Sequence, residues 1–385
     1  MSATSAVDLA TVSPVQLRAA DGPGQPPVTP ALEELYRGFE RELLVPLWTE
    51  IGDLMPTHPR SRAVPHRWSW SSLLRLAERA GDLVPVGRGG ERRAMALANP
   101  GLGGRPFATP TLWAAIQYLA PGEDAPEHRH TQHAFRFVIE GDGVWTVVNG
   151  DPVPMNRGDF LPQAGWSWHA HHNASSRPMA WLDGLDVPFQ YVTDAQFYEN
   201  GRDTLDDAER ITPERSRSEL LWGHPGLRPL AGKAAPGGTP LLNYRWDFTN
   251  QALKDQLALE ASGFGGTVEP GHAAVRYTDP ATGGDVMSTI RAEFHRVVRG
   301  AETAPVSETG SSVYAVFDGS GTVSAGDRTW TVTRGDLFVV PSWETFSVRS
   351  EAGATDSDEG ALDLFRFTDA PVLEALHLDR REVHR

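Results

Sequence analysis

Two histidine-bearing stretches decide the fold of this 385-residue chain: GEDAPEHRHTQHAFRFVIEGDG, residues 122–143, and GDFLPQAGWSWHAHHN, residues 158–173. Each alternates short apolar runs with glycines, as expected for strands joined by tight turns. His128 and His130 are separated by one residue, so on a strand both side chains point to the same face. His169 in the second stretch can complete a group of three from a neighbouring strand. The pattern predicts a three-histidine metal site inside a small β-barrel.

The text around these stretches repeats further along the chain. Thr111-Leu-Trp-Ala is matched by Thr289-Ile-Arg-Ala, and Arg157-Gly-Asp-Phe by Arg334-Gly-Asp-Leu. The offset stays near 177 residues over about 60 positions, which indicates an internal duplication. We therefore expect two copies of one β-barrel. In the second copy the three histidine positions carry Val306, Glu308 and Phe346, which predicts a barrel without metal.

Six segments follow from these patterns and from helical spacing in the N-terminal third. Leu32, Leu35, Tyr36 and Phe39 recur at helical intervals in a segment from Pro30 to about Ile51, and Trp68-Ser-Trp70 with the leucines after it predicts a second helix that ends near Gly81. The predicted segments are a disordered tail 1–30, a helical arm 31–100, a metal-binding barrel 101–190, a connection 191–285, a second barrel 286–370 and a tail 371–385.

Composition excludes several classes of function. The formal net charge is −15, which argues against a nucleic-acid-binding face. The chain has no Cys, so disulfides, zinc–thiolate sites, iron–sulfur clusters and cysteine nucleophiles are excluded. The sequence shows neither an 18-residue apolar run nor a secretory signal, and predicts no membrane partner and a cytoplasmic location. Without thiolates, a metal must bind to imidazoles, and Fe(II), Mn(II) and Zn are the candidates.

The spacing of the two stretches resembles the cupin motifs, and their flanking text resembles gentisate 1,2-dioxygenases. Residues 120–143, 158–173 and WLDGLD (181–186) are similar to that family, as are PLWTEIGDLMP (46–56) and AVPHRWSW (63–70). The chain departs from the general cupin motifs at the usual Glu, where Ala134 or Phe135 stands, and at the usual Pro, where Ala164 stands. The resemblance implies a mainly β, bicupin fold with an N-terminal helical arm.

The same resemblance implies a function and a set of site residues. It implies Fe(II), one per chain, with dioxygen as co-substrate, and cleavage of gentisate between its carboxyl- and hydroxyl-bearing carbons to give maleylpyruvate, a step of aromatic hydrocarbon catabolism. The chain would act as a homo-oligomer, a tetramer by resemblance, on a small aromatic hydroxy acid. The implied metal ligands are His128, His130 and His169.

Arg136 and His171 are the candidate catalytic residues. Arg136 lies six residues after His130 and faces the same side of a continuing strand, and an inward Arg requires an anion. The resemblance implies that Arg136 binds the substrate carboxylate. The alternative is an internal ion pair between Arg136 and an Asp or Glu. His171 shares the face of His169, and either bonds a substrate or oxygen atom or orients a neighbour.

Four further residues are candidates for substrate contact. Trp113 and Gln117 lie four residues apart on one strand, and Asp183 belongs to the WLDGLD stretch. Each has an ordinary alternative, in barrel packing for Trp113 and in a turn for Asp183. Arg92 resembles a substrate-contacting Arg of the family, or is a solvated charge. His133 and His172 are expected at the surface.

Two other functions remain open at this stage. Salicylate and 1-hydroxy-2-naphthoate undergo the same ring cleavage, and pocket volume would distinguish them from gentisate. A metal-binding bicupin that is an isomerase or a small-molecule sensor is the more distant alternative.

Overall fold

The structure is a computed structural model that describes residues 29–86, 93–204, 206–210, 213–232, 237–351 and 360–384. The chain divides into two compact units, residues up to Arg60 and residues Ser61–Arg385. Within the described ranges, no helix is long and apolar enough to cross a lipid bilayer.

The described part of the first unit, from residue 29 on, contains two helices, α1 (Pro30–Arg41) and α2 (Leu47–Leu54). Thr29 caps α1 by accepting a hydrogen bond from the backbone N–H of Leu32 at 3.2 Å. The helices are separate because Leu43 adopts φ +54°, a left-handed conformation that ends the helical run. The helical spacing predicted from Pro30 to about Ile51 is therefore correct in type and interrupted in the middle.

The described residues of the second unit form short strands with five α-helices around them. Its first half contains, in chain order, β1 (His66–Trp68), α3 (Trp70–Leu83), β2 (Ala94–Ala96), β3 (Trp113–Leu119), β4 (Asp124–His130), β5 (Ala134–Glu140), β6 (Val144–Val148), β7 (Asp151–Met155), β8 (Phe160–Gln163), β9 (His169–Asn173), β10 (Met179–Leu185), α4 (Val187–Val192) and β11 (Tyr198–Asn200). Its second half contains α5 (Arg217–Trp222), α6 (Trp246–Ala261), β12 (His272–Arg276), β13 (Arg291–Val297), β14 (Val306–Glu308), β15 (Ser312–Asp318), β16 (Ser320–Ala325), β17 (Arg328–Thr333), β18 (Leu337–Val340), β19 (Phe346–Ser350), β20 (Leu362–Thr368), α7 (Ala370–Ala375) and β21 (Arg381–Val383).

These strands form two barrels of the same topology. The first barrel pairs the sheet β2-β3-β10-β5-β8 with the sheet β11-β4-β9-β6-β7. The second pairs β12-β13-β20-β15-β18, extended by β1, with β21-β14-β19-β16-β17. Strand for strand, the two orders are identical apart from β1. The predicted duplication and the mainly β, bicupin fold are confirmed.

The duplication extends to the turn before β8 and its counterpart before β18. In the first turn, an Asp159 carboxylate oxygen accepts the backbone N–H of Trp246 at 2.9 Å, at the start of α6. In the second, Asp336 accepts the N–H of Trp70 at 2.9 Å, at the start of α3. Each Asp thus satisfies a helix N-terminus and attaches one helix to each barrel.

A shared aromatic core joins the barrels. Phe137 of the first barrel stacks on Phe365 of the second, with ring centroids 4.1 Å apart and planes 7° from parallel. Arg157 donates to the Phe317 carbonyl at 2.8 Å, and Arg334 donates to Glu140 at 3.0 Å, so each turn also reaches the other barrel. The two barrels are one packed body with a continuous apolar interior.

The structure differs from the predicted segments at their edges. The predicted arm supplies β1 to the second barrel and β2 to the first, and the predicted connection supplies β11 and β12. The predicted C-terminal tail supplies β21, which pairs with β14. These strands are short edge strands, and three to five residues carry too little alternation for a sequence pattern to reveal them. Residues 1–28 lie outside the described residues.

Candidate metal centre and substrate pocket

Neighbouring strands bring the three predicted ligands together. His128 and His130 lie on β4, and His169 lies on β9, where its Cα is paired with that of His128. The ring centroid of His169 is 4.1 Å from that of His128 and 5.0 Å from that of His130. All three side chains are buried, and one ring nitrogen of each falls within 4.8 Å of the others.

Each ring has the same backbone contact. The Nδ1 atom lies 3.0 Å from a carbonyl oxygen two residues away, that of Pro126 for His128, Gln132 for His130 and Ser167 for His169. An Nδ1–H that donates to such a carbonyl leaves Nε2 as the nitrogen with the lone pair. Metal-binding histidines are oriented in this way. Three neutral imidazoles fit a divalent iron, manganese or zinc ion, and the donor set contains neither thiolate nor carboxylate.

Arg136 is buried on β5 inside the same barrel. Its Nη1 donates to the Gln163 side-chain oxygen at 2.6 Å, and its Nε lies 3.9 Å from Asp183 Oδ1. The side chain of Arg136 is 2% exposed. The structure therefore supports each sequence-based alternative for Arg136 in part. Asp183 lies at the distance limit of an internal ion pair, and the Arg136 side chain faces the barrel interior, as binding of a substrate carboxylate requires.

Asp183 connects Arg136 with the other candidate catalytic residue. The indole N–H of Trp181 donates to Asp183 Oδ1 at 3.0 Å, and the Trp181 ring lies 5.2 Å from the ring of His171. His171 is completely buried, with its ring centroid 6.3 Å from that of His169. Asp183 does not stand in a turn: it lies within β10, opposite Arg136.

Gln117 and Trp113 lie on β3 with their Cα atoms opposite Trp181 and Leu185. Gln117 is 1% exposed, and its side-chain oxygen has no hydrogen-bond partner among the described residues. A buried amide oxygen without a donor is costly, which favours a ligand or water at this position. Arg92 lies outside the described residues.

A cavity of about 340 Å³ opens beside the histidines. His130, Leu185, Phe197 and Tyr198 are among its lining residues. The ring of Tyr198 stacks on that of His128, with centroids 5.5 Å apart and planes 15° from parallel. Tyr198 belongs to β11, so an edge strand from the predicted connection covers the metal-binding strand.

Two histidines expected at the surface have internal contacts instead. His133 accepts from the backbone N–H of Gly165 at 3.2 Å and contacts the Ser288 hydroxyl at 3.1 Å, and burial lowers its pKa. His172 contacts the Asp124 carboxylate and lies 4.4 Å from the Trp145 ring. Both residues are half-buried rather than exposed, because His172 lies on β9 against Trp145 and Asp124, and His133 lies just before β5 against Gly165 and Ser288.

The second barrel contains different chemistry at the equivalent place. Glu308, at the position of His130, accepts from Arg366 at 2.7 Å and from Arg381 at 3.1 Å. Burial alone would raise the pKa of Glu308, but the charge and hydrogen bonds of Arg366 and Arg381 lower it. A cavity of about 500 Å³ surrounds these residues. The ionised Glu308 carboxylate belongs to an ion-pair network with Arg366 and Arg381. The absence of a metal from this barrel stays a prediction.

Known proteins that are similar to this chain identify its family. Residues 115–185 match the Cupin domain family. A gentisate 1,2-dioxygenase of Streptomyces sp is 54% identical over 349 residues, covering 91% of this chain and 94% of the relative. The chain belongs to the gentisate 1,2-dioxygenase family. Proteins of this family are ring-cleaving dioxygenases, so the chain is an oxidoreductase of that type.

Other members of the family differ in the substrate that their names carry. A salicylate 1,2-dioxygenase of Pseudoaminobacter salicylatoxidans, solved as adducts with gentisate, is 56% identical, covers 94% of this chain and 96% of its own, and superposes with a TM-score of 0.89. A 1-hydroxy-2-naphthoate 1,2-dioxygenase of Nocardioides sp. (strain KP7) is 35% identical, covering 83% of this chain and 79% of the relative.

Sequence reasoning missed two residues that the structure places in this site. Gln163 lies between Arg136 and His169, and Trp181 lies between Asp183 and His171. Both stand inside the quoted stretches, but no spacing rule separates them from barrel packing. Only the register of β8 against β5, and of β10 against β3 and β5, shows which face they occupy.

Proposed function

We propose that this chain is an Fe(II)-dependent dioxygenase that cleaves gentisate between the carboxyl- and hydroxyl-bearing carbons to give maleylpyruvate. The observation that carries the proposal is the convergence of three buried imidazoles, each with its Nδ1 at a backbone carbonyl, in the same barrel as Arg136. The 54% identity to a gentisate 1,2-dioxygenase over most of both chains supports the substrate assignment.

His128, His130 and His169 would hold the iron, one ion per chain. When bound, Fe(II) supplies open coordination positions for a chelating substrate and for dioxygen, and a path for electrons between them. Three neutral ligands leave the ion's double positive charge uncompensated by the protein. This charge favours a substrate that presents a carboxylate next to an ionised hydroxyl.

The protein side chains would bind and orient that substrate. The Arg136 guanidinium is the proposed partner of the substrate carboxylate, because a planar donor fork matches two carboxylate oxygens. Asp183 and Gln163 restrict the orientation of Arg136 from two sides. The side-chain oxygen of Gln117 would accept a hydrogen bond from a substrate hydroxyl, and Trp113 would pack against the ring. Arg92 is proposed as a further cation at the substrate.

His171 is proposed to act on the hydroxyl next to the carboxylate. Its imidazole would accept the phenolic proton on a ring nitrogen, so that the hydroxyl binds the metal as a phenolate. The neighbouring Trp181 ring packs against the imidazole and limits its rotation. The alternative role, as an orienting group for His169, predicts an effect on metal affinity rather than on turnover.

A second candidate substrate is salicylate, because a structure with 56% identity and a TM-score of 0.89 carries that name. The 1-hydroxy-2-naphthoate relative extends the range to a fused ring. Family membership disfavours the isomerase and sensor alternatives. A homotetrameric assembly and a cytoplasmic location stay predictions, and light scattering of the purified protein tests the assembly.

The experiment that tests the function is oxygen uptake by protein loaded anaerobically with Fe(II). We expect gentisate and dioxygen to be consumed in equal amounts, with maleylpyruvate as the product. Parallel assays with salicylate and 1-hydroxy-2-naphthoate rank the three substrates by kcat/KM. Full turnover after stringent iron removal in the presence of a chelator would contradict the proposal.

A further inference from the structure

The Gln163 side chain lies between the proposed carboxylate-binding arginine and a proposed metal ligand. Gln163 ends β8 and is 0% exposed. Its amide oxygen accepts from Arg136 Nη1 at 2.6 Å, and its amide nitrogen lies 2.8 Å from His169 Nδ1. One rigid, planar group therefore contacts both halves of the site.

The contact with Arg136 determines which end of the amide faces which partner. A guanidinium has donors and no acceptor, so the Gln163 oxygen must face Arg136. The amide nitrogen then faces His169, and it also lies 3.5 Å from the Ser167 carbonyl oxygen. That carbonyl is the same atom that lies 3.0 Å from His169 Nδ1. The Gln163 amide nitrogen and His169 Nδ1 thus both lie near the Ser167 carbonyl oxygen.

We propose that Gln163 is a positioning residue that holds the Arg136 guanidinium and the His169 ring in a fixed arrangement relative to each other. The inference rests on the proposed roles of Arg136 and His169. The Gln163 nitrogen and the Ser167 carbonyl oxygen both contact His169 Nδ1, so the amide restricts rotation of the ring whose Nε2 would bind the metal.

The neutral charge of Gln163 is part of the argument. A carboxylate at this position would accept from both Arg136 and His169 Nδ1–H, which suits the metal ligand. It would also pair with Arg136 and compete with the substrate anion for the guanidinium. An amide satisfies Arg136 without neutralising it. Gln163 therefore orients Arg136 and leaves the charge of the guanidinium available for the substrate carboxylate.

The second barrel provides an internal comparison. By strand register, Gln163 corresponds to Val340 and His169 to Phe346 at an offset of 177 residues, and Arg136 corresponds to Tyr314 at an offset of 178. Val340 pairs with Ser312 in the same register in which Gln163 pairs with Ala134. The amide is thus present in the barrel that has an Arg and a His at these two positions, and is replaced by an apolar residue in the barrel that has neither residue there.

The test compares Gln163→Glu with Gln163→Leu. Metal affinity is measured by competition with a chelator for Fe(II) under anaerobic conditions without substrate, and gentisate affinity by anaerobic titration of the iron-loaded protein. We expect Gln163→Glu to keep metal affinity within about threefold and to weaken gentisate binding at least tenfold. We expect Gln163→Leu to weaken metal binding about tenfold, in the range of other residues that orient metal ligands.

Gln256→Leu is the matched control. The Gln256 amide exchanges two hydrogen bonds of 3.0 Å with the backbone of Ala274 in the second barrel, so its loss removes a comparable side-chain bridge away from the site. Metal and gentisate affinities should stay at the wild-type values in this control.

Two results would overturn the inference. One is a Gln163→Leu protein that binds metal as tightly as wild type, and the other is an equal loss of metal and gentisate affinity in both Gln163 variants. Either result leaves the proposed function intact if the wild-type protein cleaves gentisate with iron. Failure of the wild-type protein to bind iron or gentisate would instead remove the proposed function itself.

Discussion

The Nδ1 contacts of the three histidines are the residue-scale feature from which the chemistry follows. His128 and His169 use the carbonyl two residues before them, and His130 uses the carbonyl two residues after it. All three contacts are local to a strand and its flanking turn, so the rings are oriented by the same backbone that forms the barrel. The metal-binding geometry is therefore largely formed before a metal arrives.

The first prediction separates the two barrels. His130→Ala removes one of three proposed ligands and should abolish iron retention through gel filtration. Glu308→Ala changes the equivalent residue of the second barrel, where the carboxylate pairs with Arg366 and Arg381, and should leave iron content unchanged. Metal analysis of both purified variants provides the measurement. Loss of iron from Glu308→Ala would contradict a metal-free second barrel.

The second prediction concerns Arg136. Replacement by Leu removes two charge-assisted hydrogen bonds to the proposed substrate carboxylate, each about 1.5 kcal/mol, so kcat/KM for gentisate should fall about 100-fold. Arg136→Lys keeps the charge but not the planar fork, and should recover only part of the loss. Steady-state oxygen uptake measures both variants. An unchanged KM in the Leu variant would exclude Arg136 as the carboxylate partner.

Among individual residues, the sequence predicts the proposed metal ligands better than it predicts the residues that orient those ligands. His128, His130 and His169 follow from alternation along a strand and from the motif spacing. Gln163 could not be predicted, because its two partners lie on β5 and β9 and no local pattern joins them. Gln117 is predicted from its place on one strand face with Trp113, and the structure adds a reason in its unpartnered, buried amide oxygen.

At the scale of elements, β4 carries its ligands on one face and a cation on the other. Arg129, between His128 and His130, lies 4.4 Å from the rings of both Trp166 and Trp168, and its Nε donates to Glu199 at 2.7 Å. These contacts join β4 to the turn before β9 and to β11. The contacts of Arg129 on the outer face thus hold in place the strand that carries His128 and His130 on its inner face.

The third prediction tests the contacts of Arg129 with Trp166, Trp168 and Glu199, which we call the Arg129 clamp. Arg129→Leu removes two cation–π contacts and an ion pair, and should lower the free energy of unfolding by about 1–2 kcal/mol. Because β4 holds two ligands, iron affinity should fall as well, while Arg129→Lys retains part of both. Arg328→Leu removes an exposed ion pair with Asp327 and should change neither quantity. A stability loss in Arg129→Leu without any change in iron affinity would restrict the clamp to a structural role.

Sequence patterns predict long strands and miss short ones. β5, which lies in the first quoted stretch, is predicted from an apolar run bounded by glycines. β1 and β11 have three residues each, and their pairing depends on segments distant in the sequence. Periodicity needs several residues to appear, whereas an edge strand needs only a few backbone hydrogen bonds.

At the scale of the whole molecule, the two barrels differ in how they fill equivalent interiors. The second barrel contains Arg366, which donates to Glu293 at 3.1 Å and to Glu308 at 2.7 Å. His272 and His295 extend this network, with ring nitrogens 3.0 Å apart. Where the first barrel has a proposed metal, the second has buried charges that neutralise one another. The duplication was predictable from the constant offset, but this network was not, because its members lie on four different strands.

The fourth prediction follows from His272. Burial, and then the charge of His295, lower the pKa of His272 to about 4, although Glu269 and Glu293 oppose the shift. An unfolded His takes up a proton near pH 6.5, so the unfolded chain binds more protons between pH 6.5 and 4, and stability falls as the pH falls through this window. At pH 5 the loss from this one residue is about 2 kcal/mol relative to pH 8.

Chemical unfolding at the two pH values measures this effect. His272→Gln should lose less stability than the wild-type protein on acidification, by about the same 2 kcal/mol. His58→Gln alters an exposed histidine and should follow the wild-type curve. Equal acid sensitivity of wild type and His272→Gln would show that His272 is not neutral in the folded protein near pH 5.

The strand β1 has a consequence for how the protein is made. Arg67 on β1 donates to Asp336 at 2.6 Å, and the two residues are 269 positions apart. At about 5–20 residues per second, a ribosome needs roughly 15–50 s to synthesise the partner of β1 after β1 itself has emerged. During that interval the first barrel can close, but β1 and the indole of Trp70 remain exposed. The nascent chain is therefore vulnerable to aggregation until almost the last strand has left the ribosome.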